Sequence, residues 1–429
     1  MTDNKIITRI KDSSLFKDSF WAVFGNGLGN FFLLFAGILI ARSLGKDVYG
    51  AYGLSKAIMF QVAVFSTFGL GYTSTKFISQ SLSTNPNNVK SIGYTVILIS
   101  LLFSAFVSSI ILVFSKQFAD FSRHEELENV FHTISFLIVF RSLSTVGAGV
   151  LSGLKRFKEL GFSNIGSGLL MLVISYPFSF YWGLKGALFA LSVSQVVLAI
   201  SNITLSIRYL NELSNQVKSN HVHQLLSFSF PVALQEFSYT IFVWGSNLLM
   251  ARYASLGELG IYSACSQWNA VVLMVPNLLY NVVLSYLSGT TTIEEQHLML
   301  KKLIGINFFC ALIPFVIVFV FSPVISRLYG SEFCGMTSVL NILLFSTIFY
   351  SCTNVFYSFL LSLGRNWSLC MAKFLRDIIM IVSLYFILSN TNGLNAARNY
   401  AILNVIVAAL FLTVLSVISF MLEDKRLTK

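Results

Sequence analysis

The sequence predicts an all-α, polytopic membrane protein, and three observations carry that prediction. Hydrophobic residues make up 55% of the 429, with 41 Phe and a mean hydropathy of +0.75, too apolar a balance for a water-soluble globule of this length. Apolar runs long enough to cross a bilayer, about 20 residues each, recur along the chain between short polar breaks. Lys and Arg are also unevenly divided between alternate breaks, as the positive-inside rule requires of a chain that crosses a membrane many times.

Spans are expected at 18–42, 49–75, 91–115, 129–152, 160–182, 184–207, 225–251, 259–287, 303–326, 336–362, 368–389 and 396–421, about twelve transmembrane helices in all. The first run follows a basic segment holding Lys5, Arg9, Lys11 and Lys17, and closes at Arg42. It is long and lacks a small-residue cleavage site, so no cleavable signal peptide is expected. Gly183 separates the fifth run from the sixth, and Asn211 to Gln224 separates the sixth from the seventh. The longest polar connections, Lys116 to Glu128, Arg208 to Gln224 and Ser288 to Lys302, are too short to hold a soluble domain. Barrel strands of about 10 alternating residues do not match runs of this length and continuity.

With the N-terminus on the cytoplasmic side, the inner segments hold 19 basic residues and the outer segments 8. The formal net charge of +11 therefore reports topology, and nucleic acid is not expected as a partner. Lys56 and Arg141 are left over, because both fall inside predicted spans. The five cysteines are scattered and mostly intramembrane, which supports neither a disulfide framework nor a metal site.

The chain also repeats itself at an offset of 210 residues. Ala41, Arg42, Gly50 and Tyr52 return as Ala251, Arg252, Gly260 and Tyr262. Leu151, Ser152 and Lys155 return as Leu361, Ser362 and Arg365, and Gly183, Leu184 and Ala187 as Gly393, Leu394 and Ala397. The expected organisation is an N-terminal six-helix bundle at 1–210, a cytoplasmic connection at 211–224 and a C-terminal six-helix bundle at 225–429. Six crossings per half give the two bundles the same orientation, a parallel repeat of the kind found in transporters that rock two bundles about a shared site.

Several stretches in a fixed order carry a family resemblance: "FWAVFGNGLGNFF" in the first span, "IARSLGKDVYGAYGL" in the first hairpin, "FSTFGLGYTSTKFI" closing the second span and "VLSGLKRFKELGFSNI" after the fourth. "FSFPVAL", "LGIYSA" and "RLYGSEF" continue it through the second half. With these the chain resembles the polysaccharide-transport family, the Wzx-type O-antigen flippases of the superfamily that also holds multidrug and oligosaccharidyl-lipid exporters. The resemblance implies a MATE/Wzx-like fold and a flippase that moves undecaprenyl-pyrophosphate-linked oligosaccharide across the bacterial cytoplasmic (inner) membrane by alternating access. It further implies an ion gradient or membrane potential as the driver and association with other polysaccharide-assembly membrane proteins. A cation antiporter on the same scaffold is the alternative; it would favour acidic residues in the cavity, whereas the intramembrane charge here leans basic. Enzymatic activity and a cofactor are not expected, since the one acid-rich loop, Asp120 to Glu128, is short and lacks a paired DxD.

A pyrophosphate cannot cross hydrocarbon unpaired, so intramembrane cations and aromatics are the candidate substrate contacts. Tyr49, Tyr52 and Lys56 share one helical face, suited to a cavity wall, though the Lys56 stem also suits snorkelling. Arg141 stands mid-span, where a charge costs at least about 2.5 kcal/mol. Glu236 is the acid at similar depth, either a coupling residue or simply the counter-charge of Arg141. Arg42 and Arg252, equivalent in the repeat, are substrate contacts or interfacial anchors. Trp268 stacks on sugar or packs a core. Arg376 and Asp377 fall in the eleventh span or at its edge. Gly25, Gly27 and Gly29 lack the strand and the Lys of a nucleotide loop, so close helix packing or a bend is expected of them.

Overall fold

The computed structural model describes residues 2–122, 127–213, 222–289, 293–363 and 365–427, and among them every long element is an α-helix. In chain order these are α1 (Thr2–Ser66), α2 (Leu70–Thr84), α3 (Val89–Val113), α4 (Ser115–Ser122), α5 (Leu127–Gly153), α6 (Phe157–Asn211), α7 (Val222–Tyr253), α8 (Leu256–Gly289), α9 (Ile293–Tyr329), α10 (Met336–Ser362), α11 (Asn366–Asn390) and α12 (Ala396–Leu427). The expected spans lie largely on helix; 49–75 crosses a turn at 67–69, where Phe68 (φ 54°) and Gly69 (φ 69°) are left-handed between α1 and α2. Among the described residues, seven helices are long and apolar enough to cross a membrane.

Two elements are about twice the length of one bilayer crossing, and each is broken at a glycine. In α1 the break is Gly45 (φ 73°), and in α6 it is Gly183 (φ 57°). Both sit where two spans were expected to meet. A left-handed φ is strained for any residue with a Cβ, so glycine is what allows two apolar helices to follow one another without a polar loop. Gly393 (φ 73°), the partner of Gly183 in the 210-residue repeat, is also left-handed, between α11 and α12.

The chain divides into two compact units. Unit 1 comprises residues 1–44 and 54–244; unit 2 comprises 45–53 and 245–429. In unit 1, α5 packs against α2, α3 and α6 around Leu70, Ile78, Ile92, Val96, Val146 and Val150. Small residues bring these helices close. A Cβ built on Gly149 would meet the Gly71 carbonyl oxygen and the Ser74 hydroxyl, and one on Gly25 would meet the Gly161 backbone. Gly25 and Gly29 thus serve close packing of α1 on α6, as expected of them.

In unit 2, α10 is the central helix, packed by α8, α9 and α12 around Leu303, Val355, Phe356, Phe359, Leu360 and Phe411. Phe356 and Leu360 are the repeat partners of Val146 and Val150, and each pair sits in the core of its own unit. Segment 45–53 is part of unit 2 because Gly50 seats directly on α8. A Cβ there would overlap the Leu256 carbonyl oxygen, and one on Gly260 would lie 3.2 Å from the Gly50 Cα. Two repeat-equivalent glycines therefore cross each other.

Candidate functional site

In unit 1, α6 lays a polar stripe along α5. Gln195, Asn202 and Ser206 recur at i, i+7 and i+11, one face of a helix, and all three are buried. Asn202 donates to the Ser144 carbonyl at 3.1 Å and Ser206 to the Gly147 carbonyl at 3.1 Å, which fixes the two helices in register. Gln195 continues the stripe to Arg141, whose Nη1 donates to its Oε1 at 3.4 Å.

Arg141 lies near the middle of α5 and is half-buried. Its guanidinium carbon stands 4.4 Å from the centre of the Phe60 ring, on the post-kink half of α1. Ser142, the next residue, hydrogen bonds to Ser66 and donates to the Ala63 carbonyl at 3.1 Å, so α1 and α5 are pinned together at this depth. Lys56 lies one turn before Phe60 on the same face of α1, about 16 Å from the Gly45 break at 1.5 Å per residue. Among the described residues neither Lys56 nor Arg141 pairs with a carboxylate, and the Arg141 Nε has no hydrogen-bond partner. The partners of Arg141 among the described residues, a π-face and an amide oxygen, are both uncharged.

In unit 2, the aromatic residues of segment 45–53 enter a closed cluster. Tyr52 is buried, its ring 5.8 Å from that of Tyr49, which meets Phe333 edge-on at 5.8 Å and Tyr329 at 6.4 Å. Gln267 of α8 donates to the Tyr49 hydroxyl, and its Oε1 is buried without a partner among the described residues. Trp268 is half-buried and donates from its indole N–H to the Tyr329 hydroxyl at 3.2 Å. A second polar group follows on α12, where Tyr400 stacks on Tyr262 at 4.2 Å and Asn404 links Tyr262 to Tyr350.

The remaining expected site residues lie apart from these clusters. Arg42 is exposed, just before the Gly45 break, and belongs to unit 1. Arg252 is half-buried in the last turn of α7, its guanidinium 5.6 Å from the Tyr253 ring, and belongs to unit 2. Glu236 is on α7, with its side chain outside the described residues. Arg376 and Asp377 are placed well inside α11. They pair with each other, the Arg376 Nε donating to Asp377 Oδ1 at 2.8 Å, and the guanidinium lies 4.8 Å from the Phe411 ring of α12. Unit 2 thus carries an ion pair on α11 that neutralises itself, while Arg141 and Lys56 of unit 1 pair with no carboxylate among the described residues. Gln195 and Phe60 were not singled out in the sequence; an amide and a phenyl ring mark nothing until the fold sets them on a guanidinium.

Comparison with known proteins supplies the family. A model of the family described as polysaccharide biosynthesis protein matches residues 15–289. A Shigella flexneri protein assigned as an O-antigen transporter is 21% identical over 414 residues, covering 93% of this chain and 97% of its own length. Among solved structures, an inward-facing multidrug-resistance MATE transporter of the MOP superfamily superposes with a TM-score of 0.76 at 15% identity, covering 93% of this chain and 94% of its own. The lipid II flippase MurJ, in an inward closed conformation, superposes with a TM-score of 0.63 at 18% identity, over 92% and 86%. An all-helical membrane chain of this fold, matched by that family model over more than half its length, belongs to the polysaccharide biosynthesis protein family and is a membrane transporter of the polysaccharide type.

Proposed function

We propose that the protein is a flippase that carries an undecaprenyl-pyrophosphate-linked oligosaccharide across the cytoplasmic membrane by alternating access. The observation that carries this reading is the pair of intramembrane cations in unit 1, Arg141 and Lys56, with no carboxylate partner among the described residues. A charge held in a membrane without a counter-charge favours an anionic ligand, and a pyrophosphate supplies one. The O-antigen assignment of a relative matched along 93% of the chain supports the same substrate class. The six-helix halves, their parallel orientation and cytoplasmic termini belong to this reading, as does contact with other membrane proteins of polysaccharide assembly.

Arg141 and Lys56 hold the pyrophosphate, with Arg42 and Arg252 as outer contacts that capture or release it. Trp268 offers a ring face to the sugar. Tyr52, buried here, joins the sugar site in another state of the cycle. Glu236 couples transport to the ion gradient. A small-cation antiporter on the same scaffold would need uncompensated acid inside the membrane, whereas Asp377 on α11 is paired with Arg376.

The test is reconstitution into liposomes with a fluorescent undecaprenyl-pyrophosphate oligosaccharide, following its arrival in the far leaflet. Movement that falls in Lys56→Ala and Arg141→Ala supports the reading. No movement, together with export of small organic cations, sinks it in favour of the antiporter.

A further inference from the structure

A guanidinium buried in a membrane has two kinds of protein partner. A carboxylate satisfies it and cancels its charge; a neutral acceptor satisfies part of it and leaves the charge in place. Among the described residues Arg141 has the second kind on both sides, with the Phe60 ring at 4.4 Å and the Gln195 amide oxygen at 3.4 Å. Gln195 is 1% exposed, and a buried amide that met no partner would carry a desolvation cost that a Leu at the same place avoids. On its stripe, Asn202 and Ser206 answer backbone carbonyls of α5, and Gln195 is the member that meets a charge. The bond consumes one N–H of Arg141 and leaves the Nε proton without a partner among the described residues.

We propose that Gln195 sets the sign of the unit 1 site. As an uncharged acceptor it orients the Arg141 guanidinium while leaving the full positive charge and the remaining N–H groups to the ligand, so that the site selects a phosphate-bearing anion. An acid at this position would convert the site to a closed ion pair. Gln195 is a positioning residue that acts through Arg141, and the inference rests on the flippase reading above.

The experiment compares wild type, Gln195→Glu, Gln195→Leu and Arg141→Ala. Each is measured for liposome translocation of the fluorescent lipid-linked oligosaccharide and for binding of inorganic pyrophosphate to the detergent-purified protein by titration calorimetry. Gln195→Glu is expected to keep or raise the unfolding temperature, because a carboxylate then pairs with Arg141, while pyrophosphate affinity and translocation both fall at least about tenfold. Gln195→Leu, which keeps the charge and loses the orientation, is expected to fall by less. A purely structural role predicts the reverse order, with Glu tolerated and Leu damaging, and that order overturns the proposal. Should Gln195→Glu fail to accumulate, the exchange of Arg141→Gln with Gln195→Arg decides the matter. Pyrophosphate binding above that of Arg141→Gln alone supports the assignment, and equal binding overturns it. Wild type that moves no lipid sinks the flippase reading and this inference with it; active wild type with an unaffected Gln195→Glu overturns the inference alone.

Discussion

Replacing Arg141 with Met asks whether its charge is held for stability or for the ligand. Placing Arg at the centre of a spanning helix costs about 2.5–3.5 kcal/mol on insertion scales. Against this, a desolvated cation–π contact of the kind made with Phe60 returns about 2 kcal/mol. The long bond to Gln195 adds about 0.5–1 kcal/mol. The terms nearly cancel, which leaves the buried Gln195 amide that loses its partner as the main cost, so Arg141→Met is expected to destabilise the folded protein by about 1–3 kcal/mol. Had Arg141 been one half of a buried ion pair, removing it would cost about 3–5 kcal/mol. Translocation, in contrast, should fall at least about tenfold, the loss expected when one close charge partner is taken from a phosphate. Thermal unfolding in detergent and far-leaflet appearance of the fluorescent lipid are the paired measurements. Severe destabilisation with normal transport per folded molecule would refute the reasoning, since Arg141 would then be a structural charge.

Further substitutions test the packing that surrounds these sites. Gly50→Ala places a Cβ against the Leu256 carbonyl oxygen and should cost about 1–3 kcal/mol in thermal unfolding, whereas Gly166→Ala, with nothing within 4 Å of the added atom, should stabilise by about 0.5 kcal/mol. Asp377→Asn strips Arg376 of its counter-charge and should lower stability by about 3 kcal/mol, with much of the loss recovered when Arg376 is also made Met. Glu258 Oε2 accepts the Ala397 N–H at 2.8 Å at the start of α12, so Glu258→Gln should cost about 1 kcal/mol and loosen hydrogen-exchange protection of the first turn of that helix.

The helices were legible in the sequence because hydrocarbon imposes a length and a composition that a one-dimensional reading can measure. Even the breaks at Gly45 and Gly183 could be anticipated from where apolar runs meet, and the repeat pointed to positions such as Val146 and Phe356 that share a role in their respective cores. Arg141 and Lys56 stood out for the same reason, as charges where charge is expensive. Their surroundings were hidden. Gln195 is 54 residues from Arg141 in the chain, and nothing local distinguishes it from an amide facing a loop. Arg376 and Asp377 were ambiguous because a charged pair near the end of an apolar run reads equally as an interface; the structure places them on α11, ten residues after its start, paired with each other. Tyr52 shares a helical face with Lys56 by periodicity, yet packing puts it in a closed aromatic cluster of unit 2 while Lys56 is counted with unit 1. Periodicity reports direction from an axis and says nothing of which neighbour stands there.

The assignment of residues 45–53 to unit 2, with unit 1 on both sides of them in the chain, bears on how the protein is made. Unit 2 lacks one of its own pieces until a segment synthesised nearly two hundred residues before the rest of it is brought in. Unit 1, conversely, has its first long helix interrupted by a stretch that gains its packing only once α8 has been made. Neither a ribosome halted near residue 220 nor a gene cut there would release a finished half. Two such genes expressed side by side would have to rejoin through the seat of Gly50 on α8, so assembly order, rather than the stability of either half, would limit the yield of a split transporter.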